Sequence, residues 1–121
     1  KHRVGSAMWR VSGEQRRFLR PRSKLGAVGC GGLDGHDGGE ALRSEWQSLG
    51  PDWETESFTV PTLSLWDAIR EPLREAHAEA VDFLSIDTEG QEDEILAGYL
   101  EHDDPPLPRI KVICVEINDN E

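Results

Sequence analysis

Hydrophobic residues in the second half of the chain follow two different periods. Residues 81–86 form a near-continuous apolar run of strand length, and a second such run extends over residues 110–117. Between them, residues 92–100 place their apolar side chains on one side of a helix. Near-continuous apolar strands are typical of parallel sheets that are covered on both faces. The pattern therefore predicts a strand, a crossover helix and a second strand parallel to the first.

The first half of the chain gives a weaker pattern of strands. Residues 4–14 alternate loosely between apolar and polar side chains and include a Ser-Gly pair, which predicts a strand followed by a turn. A second short strand is predicted at residues 17–19. A third is predicted at residues 58–60, where Pro61 would end it because proline has no backbone N–H to donate.

A helix is predicted directly after Ser64. Ser64 and Asp67 have the spacing of a capping box, and residues 65–76 carry apolar side chains near one helical face. Asp67 is interpreted as an acid at the helix start. Pro72 would either kink this helix or begin a second short helix at a first-turn position.

A glycine-rich segment precedes a region without clear periodicity. Seven of the twelve glycines lie in residues 26–39, but Asp34 stands where a dinucleotide fingerprint needs its third glycine, and no phosphate-binding Gly-Lys-Ser or Gly-Lys-Thr follows. We interpret the segment as a flexible surface loop. Irregular structure with one helical turn is expected over residues 40–56, so that residues 26–57 would form a variable insertion.

The composition predicts one soluble domain, residues 1–121, with a core of modest size. The chain is 36% apolar and 31% charged. No run approaches the roughly 20 apolar residues that cross a bilayer, and no apolar stretch of a signal peptide follows the basic N-terminus. These features argue against a membrane protein and favour a cytoplasmic location. The start at Lys1 and the strand-like run before the last residue suggest a piece of a longer protein.

The two cysteines indicate neither a disulfide framework nor a zinc site. Cys30 and Cys114 lack the CxxC or Cys/His spacing of zinc ligands. Cys114 lies in the apolar run KVICVEI and is expected to be a buried small hydrophobe. No metal site is predicted.

The net charge of −11 is unevenly distributed along the chain. Residues 1–24 hold eight of the thirteen Lys and Arg residues against one acid, whereas residues 25–121 hold five basic residues against twenty-three acids. A strongly acidic body repels phosphate, and the basic segment has no second basic stripe. The distribution therefore predicts a solvated basic edge and no nucleic-acid partner.

Acidic and amide side chains follow both strands of the predicted parallel pair. Asp87 and Glu89 leave the first strand, and Glu116 and Asn118 leave the second. In open α/β sheets ligands bind in the crevice outside the carboxyl ends of the strands. We therefore expect these side chains to converge on a ligand, with Gly90 permitting a sharp turn or a close approach to the backbone.

The same residues carry a resemblance to a known family. IDTEGQEDEIL after an apolar strand, preceded by VPTLSLWDAI and followed by KVICVEIN, resembles the second half of the FkbM family of S-adenosylmethionine-dependent methyltransferases. The stretch SAMWRVSGEQRRFL also resembles the strand pair at the start of that family's pattern. The resemblance implies an α/β, Rossmann-like class I methyltransferase fold, with a mainly parallel sheet and flanking helices.

The resemblance also implies an activity and roles for individual residues. The activity is transfer of a methyl group from S-adenosylmethionine to an oxygen of a small molecule or sugar. Asp87 and Glu89 would be catalytic, Asp87 and Gly90 would contact the cofactor, and Glu116 and Asn118 would bind the methyl acceptor. No membrane partner is implied, and the oligomeric state is not indicated.

The chain departs from the family by lacking the first strand, its glycine-rich cofactor loop and the acidic end of the second strand. The fold is therefore expected to be incomplete, and residues 1–121 alone are expected to bind cofactor weakly or not at all.

Two alternatives stay open at this point. VDFLSIDTEGQ resembles the start of haloacid-dehalogenase-type, Mg²⁺-dependent phosphatases, although Glu89 and Gln91 replace that motif's second Asp and its Thr. The other alternative is a non-catalytic, truncated Rossmann-like domain whose acids cap a helix and face solvent.

Overall fold

The computed structural model describes residues 5–23, 26–27, 31–35, 39–102 and 107–116. These residues form nine strands and three helices. The strands are β1 (Ala7–Met8), β2 (Gln15–Ser23), β3 (Gly26–Ala27), β4 (Gly32–Leu33), β5 (Trp53–Leu63), β6 (Ala80–Val81), β7 (Leu84–Ile86), β8 (Arg109–Ile110) and β9 (Ile113–Val115). The helices are α1 (Glu40–Gln47), α2 (Leu65–Glu75) and α3 (Glu92–Leu100).

The largest sheet is built on one long antiparallel ribbon. Strands β2 and β5 pair from Gln15 opposite Pro61 to Ser23 opposite Trp53. Strand β1 lies parallel to β5, and the short strands β3 and β4 pair antiparallel with β2. This five-stranded sheet is therefore mixed, with antiparallel pairing along most of its length.

Alternation of side chains explains why the ribbon forms. Leu19 is fully buried beneath the sheet, whereas Phe18 and Phe58 contact each other from opposite strands with ring centroids 5.4 Å apart. Arg20 and Glu56, which are also opposite each other, form an ion pair at 2.7 Å. Cross-strand aromatic and opposite-charge pairs of this kind stabilise and fix the register of antiparallel strands.

Three expectations for this half of the chain were wrong. Pro61 does not end its strand but lies inside β5, at the last pair of the ribbon, where a missing donor is tolerated. Residues 40–47 form a helix, α1, with Trp46 buried against the sheet side of the molecule. Gly32 and Leu33, expected in a flexible surface loop, form the buried strand β4.

The predicted strand, helix and parallel strand are confirmed in residues 80–115. Strand β6 pairs in parallel with β8, and β7 pairs in parallel with β9 in the register Leu84 opposite Ile113 and Ile86 opposite Val115. We refer to β6, β7, β8 and β9 together as the parallel unit. In the chain, helix α3 follows β6 and β7 and precedes β8 and β9. The hydrophobic period of this segment was therefore sufficient to define its local topology.

The predicted Rossmann-like methyltransferase fold, with a mainly parallel sheet and flanking helices, is wrong. The protein is a small β-rich domain in which the parallel pairs form separate two-stranded sheets beside the mixed sheet. The physical reason is the length of the strands. The ribbon of β2 and β5 pairs over its whole length, whereas β7 and β9 contribute three residues each.

The core lies between helices α2 and α3 and the parallel unit. Leu65, Ile86, Ile95 and Tyr99 are its buried members. Helix α2 begins as predicted, since the Ser64 hydroxyl accepts a hydrogen bond from the Asp67 backbone N–H. It continues through Pro72 as one helix and is not divided there.

One face of the parallel unit is exposed, contrary to the expectation that both faces are covered. Phe83 is 61% exposed and Val112 is 52% exposed. Cys114, predicted to be buried, is exposed on the same strand as Ile113. The apolar run indicated the strand correctly but not how many of its faces are covered.

None of the helices that the structure describes is long and apolar enough to cross a membrane.

Candidate carboxylate site

The parallel pairing brings two of the predicted acids together. Asp87 follows β7 and Glu116 follows β9, and the last register pair of these strands is Ile86 opposite Val115. The Glu116 backbone N–H donates to the Ile86 carbonyl at 3.2 Å. Because the carboxyl ends of parallel strands meet at one edge, Asp87 and Glu116 lie side by side.

Glu89 completes a cluster of three carboxylates at this edge. One carboxylate oxygen from each of Asp87, Glu89 and Glu116 lies within 4.8 Å of the other two. Asp87 and Glu116 are exposed, and Glu89 is half-buried. The convergence that the strand ends predicted is therefore present for three of the four side chains.

The fourth predicted residue, Asn118, lies outside the described residues.

A fourth acid, Glu92, fixes the loop that carries the cluster. Its carboxylate accepts hydrogen bonds from the Thr88 backbone N–H at 2.7 Å, the Thr88 hydroxyl at 2.9 Å and the Gly90 backbone N–H at 3.0 Å. The side chain is buried, at 7% exposure. Charge-assisted bonds to backbone donors are among the stronger hydrogen bonds in proteins, so Glu92 defines the conformation of residues 88–90.

The loop adopts a tight, left-handed turn. Glu89 has φ 57° and Gly90 has φ 105°. A glycine at the second position avoids the steric cost that other residues pay there, and an added Cβ at Gly90 would meet no atom within 4 Å. The glycine thus serves the turn of the backbone, which was one of the two roles expected of it.

The glycine-rich segment approaches the site, which the sequence analysis did not predict. A Cβ added at Gly32 would lie 3.2 Å from the Leu42 side chain and 3.4 Å from both the Cβ and the carbonyl of Glu89. Helix α1 also places Glu45 near enough to act electrostatically on Glu89. Strand β4 and helix α1 therefore form one side of the carboxylate loop. No spacing in the sequence links these residues to Glu89.

The role of Glu92 was also missed, because acids in the first turn of a helix usually stabilise the helix dipole. The only signal in the sequence is the position of Glu92 four residues after Thr88 and two after Gly90.

The cluster raises the pKa of Glu116. The largest cause is a side-chain hydrogen bond with Asp87, followed by repulsion from the Asp87 charge, burial and repulsion from Glu89 and Glu92. Two carboxyl groups can share a hydrogen bond only when one of them holds a proton. The pair therefore retains a proton to a higher pH than an isolated glutamate does.

The pKa of Glu89 is raised for a different leading reason. Burial is the largest cause, and the negative charges of Asp87, Glu45 and Glu92 add to it. Among the described groups that shift the pKa of Glu89 or Glu116, none is basic. This end of the molecule is thus a locally uncompensated negative site that favours a positively charged ligand or a proton.

The three carboxylates could hold a divalent cation. Mg²⁺ and Ca²⁺ prefer oxygen ligands, and carboxylates are their commonest protein ligands. Three oxygens from Asp87, Glu89 and Glu116 within 4.8 Å of one another satisfy the first requirement for such a site. No metal was predicted at these residues from the sequence, and that prediction stays untested.

Protein-family models, curated proteins and solved structures were compared with the chain, and none of them matches it. The methyltransferase resemblance stays a prediction from the sequence.

Proposed function

We propose that the cluster of Asp87, Glu89 and Glu116 is the reaction site of an S-adenosylmethionine-dependent methyltransferase that methylates an oxygen of a small molecule or sugar. The observation that carries the proposal is the convergence of the three carboxylates within 4.8 Å at the carboxyl ends of two parallel strands. The motif IDTEGQEDEIL, on which the resemblance rests, supplies Asp87 and Glu89.

The described residues fit the charged end of this cofactor. S-adenosylmethionine supplies an electrophilic methyl group on a positively charged sulfonium. The acids that surround Glu89 and Glu116 would offset that charge, since no basic group acts on either of them among the described residues. Asp87 would be one of these acids, because it is exposed and follows β7 beside Glu116.

The same carboxylates can accept the proton that the hydroxyl group of a methyl acceptor releases. A general base works best when its pKa lies near the operating pH, and the pKa values of Glu89 and Glu116 are shifted upward in that direction. Either carboxylate can accept the hydroxyl proton through a hydrogen bond. Glu92 acts as a positioning residue, because it holds the loop that presents Glu89.

Isotope-edited NMR of the ¹⁵N-labelled chain tests this proposal at the millimolar affinities expected here. Titration with S-adenosylmethionine should shift the backbone amides of residues 86–90 and of Glu116. Replacement of Asp87 by Asn should weaken binding tenfold or more, because the attraction of one carboxylate for a nearby positive charge is on the order of 1–4 kcal/mol at a protein surface. Asp93→Asn is the matched control, since Asp93 is exposed on α3 and lies outside the cluster.

Two results would count against the proposal. One is a set of shifts that avoids the cluster. The other is equal binding by the wild type and Asp87→Asn, with no methyl transfer from the labelled cofactor to a panel of sugars and small alcohols.

Mg²⁺-dependent phosphatase activity is the second candidate function, and the cation-binding capacity of the cluster favours it. In that chemistry Asp87 would be the nucleophile. Glu89 in place of an aspartate extends the second carboxylate by one methylene. Release of phosphate from p-nitrophenyl phosphate that requires Mg²⁺ and disappears in Asp87→Asn would favour this candidate over methyl transfer.

A further inference from the structure

A groove of about 760 Å³ lies at the opposite end of the parallel unit from the carboxylates. Ala80 and Arg109, the first residues of β6 and β8, are opposite each other in the register and both line it. The carboxylates instead follow the last residues of β7 and β9. The groove is therefore separate from the candidate reaction site.

The lining combines an apolar floor with basic groups. Trp66, Arg70, Leu73 and Arg74 have the spacing of one helical face and form the α2 side of the groove. Leu107 and Arg109 lie on the other side. Ligand pockets of this size are typically lined by apolar side chains with a few polar groups that fix the orientation of the ligand.

The walls of the groove are held in place by contacts outside it. The Trp66 ring packs against the His102 ring at a centroid distance of 5.1 Å. The Tyr99 hydroxyl donates a hydrogen bond to the Pro108 carbonyl, which ties the second wall to helix α3. The residues of both contacts are partly or fully buried, so each wall of the groove is packed against the rest of the fold.

The guanidinium groups are open to an anionic ligand. Arg70 and Arg74 are exposed and pair with Asp67 and Glu71 at i,i+3 spacing within the same helix. Ion pairs of exposed arginines contribute little in water. Arg109 is exposed and makes no ion pair with any residue that the structure describes. Glu79 also lines the groove and is the one acid among the described residues that line it.

We propose that this groove binds a small organic anion, with a carboxylate or phosphate group on Arg109 and Arg70 and an apolar, planar body against Trp66 and Leu73. Guanidinium groups match carboxylate and phosphate geometry with paired N–H donors. The apolar part of the ligand covers Trp66 and Leu73. An inorganic anion has no such part, so it is expected to bind more weakly than an organic anion. The proposal does not depend on the function of the carboxylate cluster.

A set of naphthalene probes tests the anion and the body separately. The ¹⁵N-labelled chain is titrated with 2-naphthyl phosphate, 2-naphthoate, neutral 2-naphthol and inorganic phosphate. The two aromatic anions should shift the Trp66 indole N–H and the amides of residues 78–80 and Arg109. Naphthol and inorganic phosphate should bind at least tenfold more weakly, and affinity for the anions should fall with added salt. The tighter of the two aromatic anions identifies the preferred head group.

Matched arginine variants locate the contact. Arg109→Ala should weaken both aromatic anions about tenfold, the loss expected for one charge-assisted contact. Arg70→Ala provides a second variant on the other wall, in case the first disturbs β8. Arg22→Ala is the control, because Arg22 is exposed on β2 in the mixed sheet. The proposal is overturned if naphthol binds as tightly as the anions, if the shifts lie outside the groove, or if both groove variants bind like the control.

Discussion

Charged side chains are arranged in opposite ways in the antiparallel ribbon and at the carboxyl edge of the parallel unit. In the ribbon, Arg20 faces Glu56 across the strands, and the Glu56 pKa is lowered chiefly by its hydrogen bond to Arg20. In the parallel unit, Glu116 faces Asp87, and its pKa is raised. The ribbon places Arg20 against an acid across the strands, and the start of the parallel unit likewise pairs Lys111 with Asp82 at 2.6 Å. Like charges collect at the carboxyl edge of the parallel unit.

The two arrangements have opposite effects on the stability of the fold. Cross-strand pairs and full burial of Leu19 stabilise the ribbon. The carboxylate edge gains nothing in stability from its repulsion, and groups with pKa values shifted by like charges and burial are enriched at functional sites. A ligand that neutralises the edge would remove this cost.

The largest loss of stability is expected from a substitution of the buried Leu19 in the ribbon. Leu19→Ala should lower the free energy of unfolding by about 2–5 kcal/mol, because it removes a fully buried side chain and leaves a cavity. Urea denaturation measures this loss. Leu49→Ala is the control, since Leu49 is 55% exposed and should change stability by less than about 0.5 kcal/mol. Equal losses in both variants would show that Leu19 does not pack as described.

The next largest loss of stability is expected when Glu92 no longer holds residues 88–90 in place. Glu92→Gln should cost about 2 kcal/mol, because charge-assisted hydrogen bonds to the N–H groups of Thr88 and Gly90 are replaced by weaker ones. The amides of Thr88 and Gly90 should also exchange with solvent faster. Asp93→Asn, an exposed change in the same helix turn, should cost no more than about 0.3–1 kcal/mol through the helix dipole and should leave the exchange of these amides unchanged. Unchanged exchange in Glu92→Gln would contradict the proposed role of Glu92.

A smaller change, a gain in stability, is expected from a substitution at the carboxyl edge. Glu116→Gln should raise the Tm at pH 7, because a glutamine amide can donate to Asp87 without holding a proton and carries no negative charge. A carboxyl group whose pKa is raised by folding destabilises the native state above that pKa and no longer does so below its ordinary value of 4.5. The gain should therefore disappear at pH 3. Melting curves at the two pH values test it, and a lower Tm at pH 7 would contradict the account.

The smallest effect is expected for the ion pair between Arg20 and Glu56 in the ribbon. A double-mutant cycle on Arg20→Ala and Glu56→Ala should give a coupling of about 0.2–1 kcal/mol, the usual range for a partly exposed pair. The coupling should decrease in 1 M salt. A coupling above that range would contradict the small contribution expected of this ion pair.

The sequence predicted local elements better than their assembly. The apolar runs at 81–86 and 110–117 indicated the parallel pairing, and Ser64 and Asp67 indicated the start of α2. Long-range pairing was not predictable in the same way. The antiparallel register of β2 with β5 depends on contacts between residues about 30 to 46 positions apart, and neither strand alone specifies its partner.

The candidate site was likewise predicted in its local part but not in its tertiary contacts. Asp87, Glu89 and Glu116 converge because their strands end at one edge, which the local pattern contains. The neighbours Gly32 and Glu45 reach Glu89 only through the position of β4 and α1. Their contribution arises from the tertiary fold that the sequence analysis assigned incorrectly.

Asp87, Glu89 and Glu116 are expected to act as one electrostatically coupled site. Carboxyl ¹³C NMR titration of the chain, with and without Asp87→Asn, tests it most directly. In the wild type, Glu116 and Glu89 should titrate above the ordinary value of 4.5, and Asp87→Asn should lower both pKa values, that of Glu116 more. Ordinary titration of both glutamates in the wild type, unaffected by Asp87→Asn, would show that the three carboxylates do not form a site.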